Sequence, residues 1–234
     1  MTEFCSFDPR DGSPRGERPD ATADDIAAAL DVTHRGFHQW SRAPLTTRCE
    51  ALTRVADALE KRADALGRLM AEEMGKPVTQ GVAEAKKCAW ACRHAAAHAA
   101  SWLAPEAVPT EARTSYVRHE PLGPVLAIMP WNFPLWQLFR FGASALAAGN
   151  TVLLKHAPIV PGCAEAIVSV CDEAGLPEGV VVNVFARVDQ LEAIVADPRV
   201  AGVTLTGSTR AGRSVAALAG RHLKPSVLEL GGSD

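Results

Sequence analysis

An asparagine near the middle of the chain has the surroundings of a group that could stabilise negative charge. Asn132 lies between Pro130 and Pro134, and these prolines restrict the backbone on both sides of it. An amide held in this way can donate to a developing oxyanion. The same residues also fit an ordinary turn in which Trp131 and Phe133 pack, so the pattern leaves both interpretations open.

A carboxylate near the end of the sequence could act as a base. Glu229 follows a short apolar run and precedes Gly231 and Gly232, where a backbone can open into a cleft. A carboxylate that is partly removed from water at such a position is suited to general base catalysis. An acidic turn residue would give the same pattern, and the sequence allows either.

Two further short apolar runs end in residues that could contact a phosphorylated ligand. Lys155 ends one run and could bind a ribose hydroxyl or a phosphate, although a solvated surface lysine is the common alternative. Gly207 and Ser208 follow another run, and Gly212 lies in the next segment. Glycines allow close approach of a phosphate, and Ser208 could cap a helix whose N-terminus favours an anion. The spacing is neither G-x-G-x-x-G nor that of a P-loop.

A possible metal site is also considered in the alanine-rich segment that precedes these motifs. Cys88 and Cys92 lie four residues apart, and His94 and His98 form a second pair with the same spacing. The two pairs fall on different helix faces, and the C-x-x-C spacing of structural zinc sites is missing. We therefore expect small residues in helix packing and predict no metal.

The first hundred residues show helical periodicity. Residues 1–20 are polar and rich in proline, which predicts a flexible tail. Thr22 and Asp25 form a predicted capping box, and Thr47 and Glu50 form a second one. Apolar residues then recur at helical spacing. The predicted helical segments are about 22–40, 47–74 and 78–102.

After residue 110 the periodicity changes to short runs rich in valine and leucine, separated by helical segments. This alternation predicts an α/β fold, with a Rossmann-like parallel sheet covered by helices on both faces. We predict one domain over 21–234, with a helical part at 21–110 and a Rossmann-like part at 111–234. Ligands bind beyond the carboxyl ends of the strands in such sheets. The predicted strands are Thr114–His119, Val125–Met129, Thr151–Lys155, Val180–Phe185, Val203–Thr206 and Val227–Leu230.

Charge and composition exclude several classes of protein. The net charge of −3 and the absence of a basic block argue against nucleic-acid binding. No apolar run is long enough to cross a membrane, and the N-terminal residues lack the apolar segment of a signal peptide. We therefore expect a cytoplasmic protein whose six cysteines are reduced thiols.

Taken in order, the motifs resemble those of the aldehyde dehydrogenase superfamily. They are P-W-N-F-P, L-L-K, the Gly175–Val180 segment, T-G-S-T-x-x-G and L-E-L-G-G. The resemblance covers about residues 20–234, and the first and last motifs are the most specific. M-P-W-N-F-P-L-W-Q, L-L-K-H-A-P and L-E-L-G-G-S-D are most similar to bacterial succinate-semialdehyde dehydrogenases.

This resemblance implies a cofactor, NAD or NADP, and a small aldehyde substrate that is oxidised to a carboxylic acid. It implies that Asn132 donates to the oxyanion and that Glu229 activates the hydrolytic water. It also implies cofactor contacts. The implied cofactor-binding residues are Trp131, Lys155, Gly207, Ser208, Gly212 and Gly231.

Two departures from the family pattern bear on activity and on the choice of cofactor. The nucleophilic cysteine of the family would lie beyond Asp234, together with the catalytic domain, so we expect no aldehyde oxidation by these 234 residues alone. Pro158 stands where many members carry a glutamate that favours NAD, which leaves NADP or dual use open.

The resemblance also bears on assembly. The family is homo-oligomeric, and Thr114–His119 resembles a strand that pairs with a neighbouring subunit. An unpaired strand and an uncovered domain face leave adhesive surface. We therefore expect that the chain aggregates alone or needs a complementing catalytic domain.

Overall fold

The computed structural model describes residues 3–232, and they form a helical layer followed by a sheet with helices on both faces. The helices are α1 (Ala23–Trp40), α2 (Leu45–Lys61), α3 (Ala63–Met74), α4 (Val78–Trp102), α5 (Trp136–Ala147), α6 (Pro161–Glu173), α7 (Leu191–Ala196) and α8 (Thr209–Arg221). The strands are β1 (Phe4–Phe7), β2 (Pro14–Arg18), β3 (Glu106–Ala107), β4 (Tyr116–Val117), β5 (Pro124–Met129), β6 (Thr151–His156), β7 (Val181–Asn183), β8 (Gly202–Gly207) and β9 (Ser226–Leu230).

The N-terminal residues form an antiparallel hairpin of β1 and β2. The prediction of a flexible tail is therefore wrong for residues 3–20, while residues 1 and 2 lie outside the described part. Alternation along β1 buries Phe4 completely, and its ring lies 5.1 Å from that of Phe185. Asp8 is also buried and accepts hydrogen bonds from Arg10 and Arg15. Long-range packing and this ion pair therefore stabilise a segment that has little propensity of its own to form strands.

The helical layer follows the predicted periodicity, with one changed boundary. The Thr22–Asp25 capping box at the start of α1 is confirmed, because each side chain bonds the other residue's backbone. The predicted Thr47–Glu50 box is wrong, since α2 begins earlier, at Leu45, directly after Pro44. The long apolar stripe is divided between α2 and α3 at Arg62, while α4 has the predicted bounds.

The five strands of the main sheet are parallel, in the order β7-β6-β5-β8-β9. This confirms the predicted α/β fold. Helices α2 to α6 contribute to the hydrophobic core on one face of this sheet. Helices α1, α7 and α8 contribute to the core on the other face. Of the predicted strand Thr114–His119, only Tyr116–Val117 is extended, and it pairs with Glu106–Ala107 in an exposed two-stranded ribbon.

The helical layer also supplies hydrogen-bond partners to both ends of α5 and α6. At their N-termini, Glu84 accepts from the backbone at the start of α5, and Glu73 accepts from Gly162 and Cys163 in α6. At their C-termini, the partners are donors. They are Trp40 to Leu146 O, Arg48 to Ala147 O and Arg54 to Ala174 O, at 2.8–2.9 Å. Acids therefore meet the positive helix ends, and two cations and a neutral indole meet the negative ones.

None of the helices within residues 3–232 combines the length and the apolar character that a membrane span requires.

Candidate active site

A cleft of about 550 Å³ opens at the carboxyl ends of β5, β8 and β9. Its position agrees with the rule that parallel sheets bind ligands beyond these ends. It brings together most of the residues that the sequence singled out. The lining residues are Pro130, Trp131, Asn132, Trp136, Gln137, Arg140, Thr206, Gly207, Ser208, Glu229, Leu230 and Gly231.

Asn132 lies in the loop Pro130–Pro134, which connects β5 to α5, and its side chain is exposed to the cleft. Its Oδ1 accepts a hydrogen bond from the N–H of Phe133 at 3.1 Å. With Oδ1 bonded to the backbone in this way, the Nδ2 group is the donor that can face a ligand. Trp131 is half exposed beside it and forms part of the same wall.

Ser208 lies at the N-terminus of α8, where its Oγ accepts from the N–H of Ala211 at 3.2 Å. The first turn of α8 contains no acidic residue, so the positive end of the helix is not neutralised there. Gly207 lines the cleft beside Ser208. The N-terminal backbone of α8 and its positive partial charge make this corner of the cleft suited to an anionic group.

Gly212 has a different place from the one that the sequence suggested. It is buried one turn into α8, and it does not line the cleft. A Cβ atom at this position would lie 2.5 Å from Cδ2 of Leu230. The missing side chain therefore allows α8 to pack against the end of β9, which supports the cleft wall indirectly.

Glu229 and Gly231 line the cleft on the side of β9. The sequence predicted a desolvated carboxylate, but 51% of the Glu229 side chain is exposed. Its Oε2 lies 3.3 Å from Nη1 of Arg140, which projects from α5. Sequence reasoning missed Arg140, since an arginine on an amphipathic helix is typical of a solvated face.

Lys155 is neither a solvated lysine nor part of the cleft lining. It is 5% exposed at the end of β6, where its Nζ lies 5.6 Å from the ring centroid of Phe4. Burial lowers the pKa of this ammonium group. The hairpin that the sequence did not predict therefore covers a predicted cofactor residue.

His156 follows Lys155 and is fully buried. Its Nδ1 accepts from the N–H of Ala157 at 2.8 Å, so Nε2 carries the proton and donates to Pro134 O at 2.9 Å. Desolvation lowers the pKa of the imidazole from 6.5 to about 4. The ring is thus neutral and ties β6 to the loop that carries Asn132, rather than serving as a base in the cleft.

No cysteine in the described part of the chain lines the cleft. Cys163 and Cys171 are buried in the core, as expected of packing residues, and burial raises the pKa of both thiols. Cys88 and Cys92 face the same core, and burial raises the pKa of Cys92 to about 12.

His94 and His98 lie on the outer face of α4 and stack between the exposed rings of Trp90 and Trp102. They are therefore separated from Cys88 and Cys92. Within residues 3–232 no group of three or more histidine, cysteine, aspartate or glutamate side chains could hold a metal ion.

Comparison with known proteins adds independent information. A probable succinate-semialdehyde dehydrogenase [NADP(+)] of Synechocystis is 46% identical over 210 residues, which cover 90% of this chain and 46% of that protein. The succinate semialdehyde dehydrogenase [NAD(P)+] Sad of Escherichia coli is 42% identical over 233 residues, covering 100% and 50%. The chain thus spans about half the length of the curated relatives it matches.

Solved structures agree with the described fold. The succinic semialdehyde dehydrogenase of Streptococcus pyogenes, in complex with NADP+, superimposes with a TM-score of 0.95 at 34% identity, covering 99% of this chain and 51% of that one. The model of the aldehyde dehydrogenase family matches residues 2–234. The chain belongs to the aldehyde dehydrogenase family.

Proposed function

We propose that the chain is the cofactor-binding part of an NAD(P)-dependent aldehyde dehydrogenase that oxidises a carboxylate-bearing aldehyde, with succinic semialdehyde as the favoured substrate. The observation that carries this proposal is the convergence of Asn132, Ser208 and Glu229 on one cleft at the carboxyl end of the sheet. Each has a chemical group suited to a different part of the reaction.

The cofactor, when bound, supplies the acceptor for a hydride. Around it, Asn132 would donate its Nδ2 group to the oxygen of the attacked carbonyl, where charge develops. Glu229 would take a proton from the hydrolytic water. Ser208 and the first turn of α8 would hold the pyrophosphate, and the unneutralised N-terminus of that helix fits this group.

The choice between the two cofactors depends on the ribose 2′ position. After β6 the chain reads Ala157-Pro158, with no acid that would repel a 2′-phosphate. The names of the Synechocystis and Escherichia coli relatives include NADP(+) and NAD(P)+. We propose that this chain accepts NADP as well as NAD.

Arg140 supports an acidic aldehyde as the substrate. It is the only lysine or arginine among the cleft-lining residues of the described chain, and its partner is Glu229. A substrate carboxylate could replace Glu229 as that partner. This exchange would release the Glu229 carboxylate for its role as a base.

Titration of the 234-residue chain with NADP+ and NAD+ by calorimetry tests the proposed cofactor. We expect binding, and we expect Ser208→Ala to weaken it roughly tenfold, because a charge-assisted hydrogen bond contributes about 1.5–3 kcal/mol. Ser214→Ala is the matched control, since Ser214 lies on the same helix, exposed, with its Oγ bonded to Arg210 O.

The outcomes separate the alternatives. Binding that Ser208→Ala weakens and Ser214→Ala does not would support the proposal. Binding without aldehyde oxidation by the isolated chain would fit a cofactor-binding module that needs a catalytic domain. No binding of either nucleotide would mean that the chain is a non-catalytic remnant.

The proposed substrate class has its own test. Succinate, added as a probe for the substrate carboxylate, should shift the amide resonances of the cleft residues in NMR spectra. Arg140→Met should weaken this binding about tenfold, because it removes a charged hydrogen-bond partner, whereas Arg213→Met, on the exposed part of α8, should not. Equal succinate binding by both variants would contradict a role of Arg140 in recognising a carboxylate.

A further inference from the structure

The loop that carries Asn132 is in contact with a buried ion pair from the helical layer. Lys76 follows α3, Glu84 lies in the second turn of α4, and their side chains bond each other while being 5% and 2% exposed. Neither residue lines the cleft. Such a pair is costly to desolvate, and burying two charges does not by itself stabilise a fold more than apolar packing does.

Glu84 contacts the loop at its C-terminal end. Its Oε1 accepts hydrogen bonds from the N–H groups of Leu135 and Trp136, both at 2.9 Å, while its Oε2 accepts from Lys76. The residue at the start of α5, Leu135, offers no side-chain cap. A carboxylate from another helix therefore replaces the local cap and fixes where α5 begins, four residues after Asn132.

Lys76 contacts the loop one residue from Asn132. Its Nζ lies 3.7 Å from the ring centroid of Phe133, a distance at which a cation is attracted by the ring face. The backbone N–H of Phe133 in turn donates to Oδ1 of Asn132. A continuous series of contacts thus runs from Glu84 through Lys76 and Phe133 to the amide group in the cleft.

We propose that Glu84 and Lys76 are positioning residues, which set the direction of the Asn132 Nδ2 group by holding Phe133 and the start of α5. The value of this direction for oxyanion binding rests on the proposed function. The positioning itself does not, because it concerns contacts within the chain. His156 donates to Pro134 O in the same loop, so the residues that directly follow Asn132 are held at several points.

The experiment uses ¹H–¹⁵N spectra of the 234-residue chain without ligand. Asn132→Asp identifies the side-chain amide signals of Asn132 by their loss. Glu84→Gln keeps the size of the side chain and an oxygen for the two N–H groups, but it removes the charge that pairs with Lys76. Glu73→Gln is the matched control, because Glu73 is equally buried and caps α6 rather than α5.

We expect Glu84→Gln to shift the Asn132 side-chain signals and to accelerate hydrogen exchange at Leu135 and Trp136 about tenfold. Glu73→Gln should affect Gly162 and Cys163 instead and leave the Asn132 signals in place. Unchanged Asn132 signals in Glu84→Gln, or the same shift in both variants, would overturn the proposal.

A second pair of variants covers the case in which Glu84→Gln does not fold. Lys76→Arg keeps a cation that can bond Glu84 and lie over Phe133, whereas Lys76→Met keeps only the apolar stem. Native Asn132 signals in Lys76→Arg with shifted signals in Lys76→Met would support the proposal, and native signals in both would refute it. Failure of nucleotide binding would count against the proposed function alone, since these spectra contain no nucleotide.

Discussion

Phe4→Ala should lower the free energy of unfolding by about 3–5 kcal/mol, as for other large aromatic residues removed from a core. Phe4 is completely buried although it is the fourth residue of the sequence, and the substitution removes its contact with the ring of Phe185. It also uncovers Lys155. Urea unfolding followed by circular dichroism measures the first effect, and the rate of acylation of the Lys155 amine measures the second.

Phe7→Ala is the control for this prediction. Phe7 lies on the opposite face of the same strand and is 53% exposed, so its loss should change stability by no more than about 0.5 kcal/mol. Equal, small effects of the two substitutions would mean that the β1–β2 hairpin does not pack on the sheet in solution.

Acidification from pH 6.5 towards pH 4 should cost the chain about 3 kcal/mol of stability through His156 alone. Its pKa is about 4 in the folded chain and 6.5 when unperturbed, so the unfolded chain binds more protons in this interval. The contribution is complete above pH 6.5 and is lost as the pH falls through the interval. Urea unfolding between pH 4.5 and pH 7.5 measures it.

His156→Gln should be less stable than the native chain at pH 7 and should lose stability less steeply on acidification. The difference between the two pH profiles isolates the imidazole from the carboxylates, which titrate in both proteins. His119→Gln, at an exposed position, should retain the native profile. Parallel profiles for the native chain and His156→Gln would show that the ring is not held neutral by burial.

The sheet and most of the cleft could be predicted from local sequence. The segments that form β5, β6, β8 and β9 are short, apolar and bounded by glycine or proline. This pattern is typical of β-strands. Parallel order then places their carboxyl ends at one edge of the sheet. This is why Asn132, Ser208 and Glu229, far apart in sequence, could be predicted to meet.

The hairpin could not be predicted, because its stability does not come from its own residues. β1 and β2 have four and five residues, and β2 contains Pro14 and Gly16, which disfavour strands. Phe4 is ordered by the ring of Phe185, which follows β7 of the main sheet. Contacts between residues so far apart in the sequence leave no pattern in the local sequence from which they could be predicted.

Arg140 and Glu84 were missed for a related reason. Each is a charged residue on a helix, and helical periodicity says which face it occupies but not what lies opposite. Arg140 faces Glu229 across the cleft, and Glu84 faces the start of another helix. Only the packing of the elements distinguishes them from solvated charges.

The hydrogen bonds at the ends of α5 and α6 have a consequence for how the chain can be divided or recombined. A segment beginning at residue 111 would contain both helices but would lose the five side chains from α1 to α4 that bond their ends. We therefore expect the two parts to unfold as a single cooperative unit and not to behave as exchangeable modules. Chimeras of relatives that are joined near residue 110 should fold only where the incoming helical part supplies acids equivalent to Glu73 and Glu84 and donors equivalent to Trp40, Arg48 and Arg54.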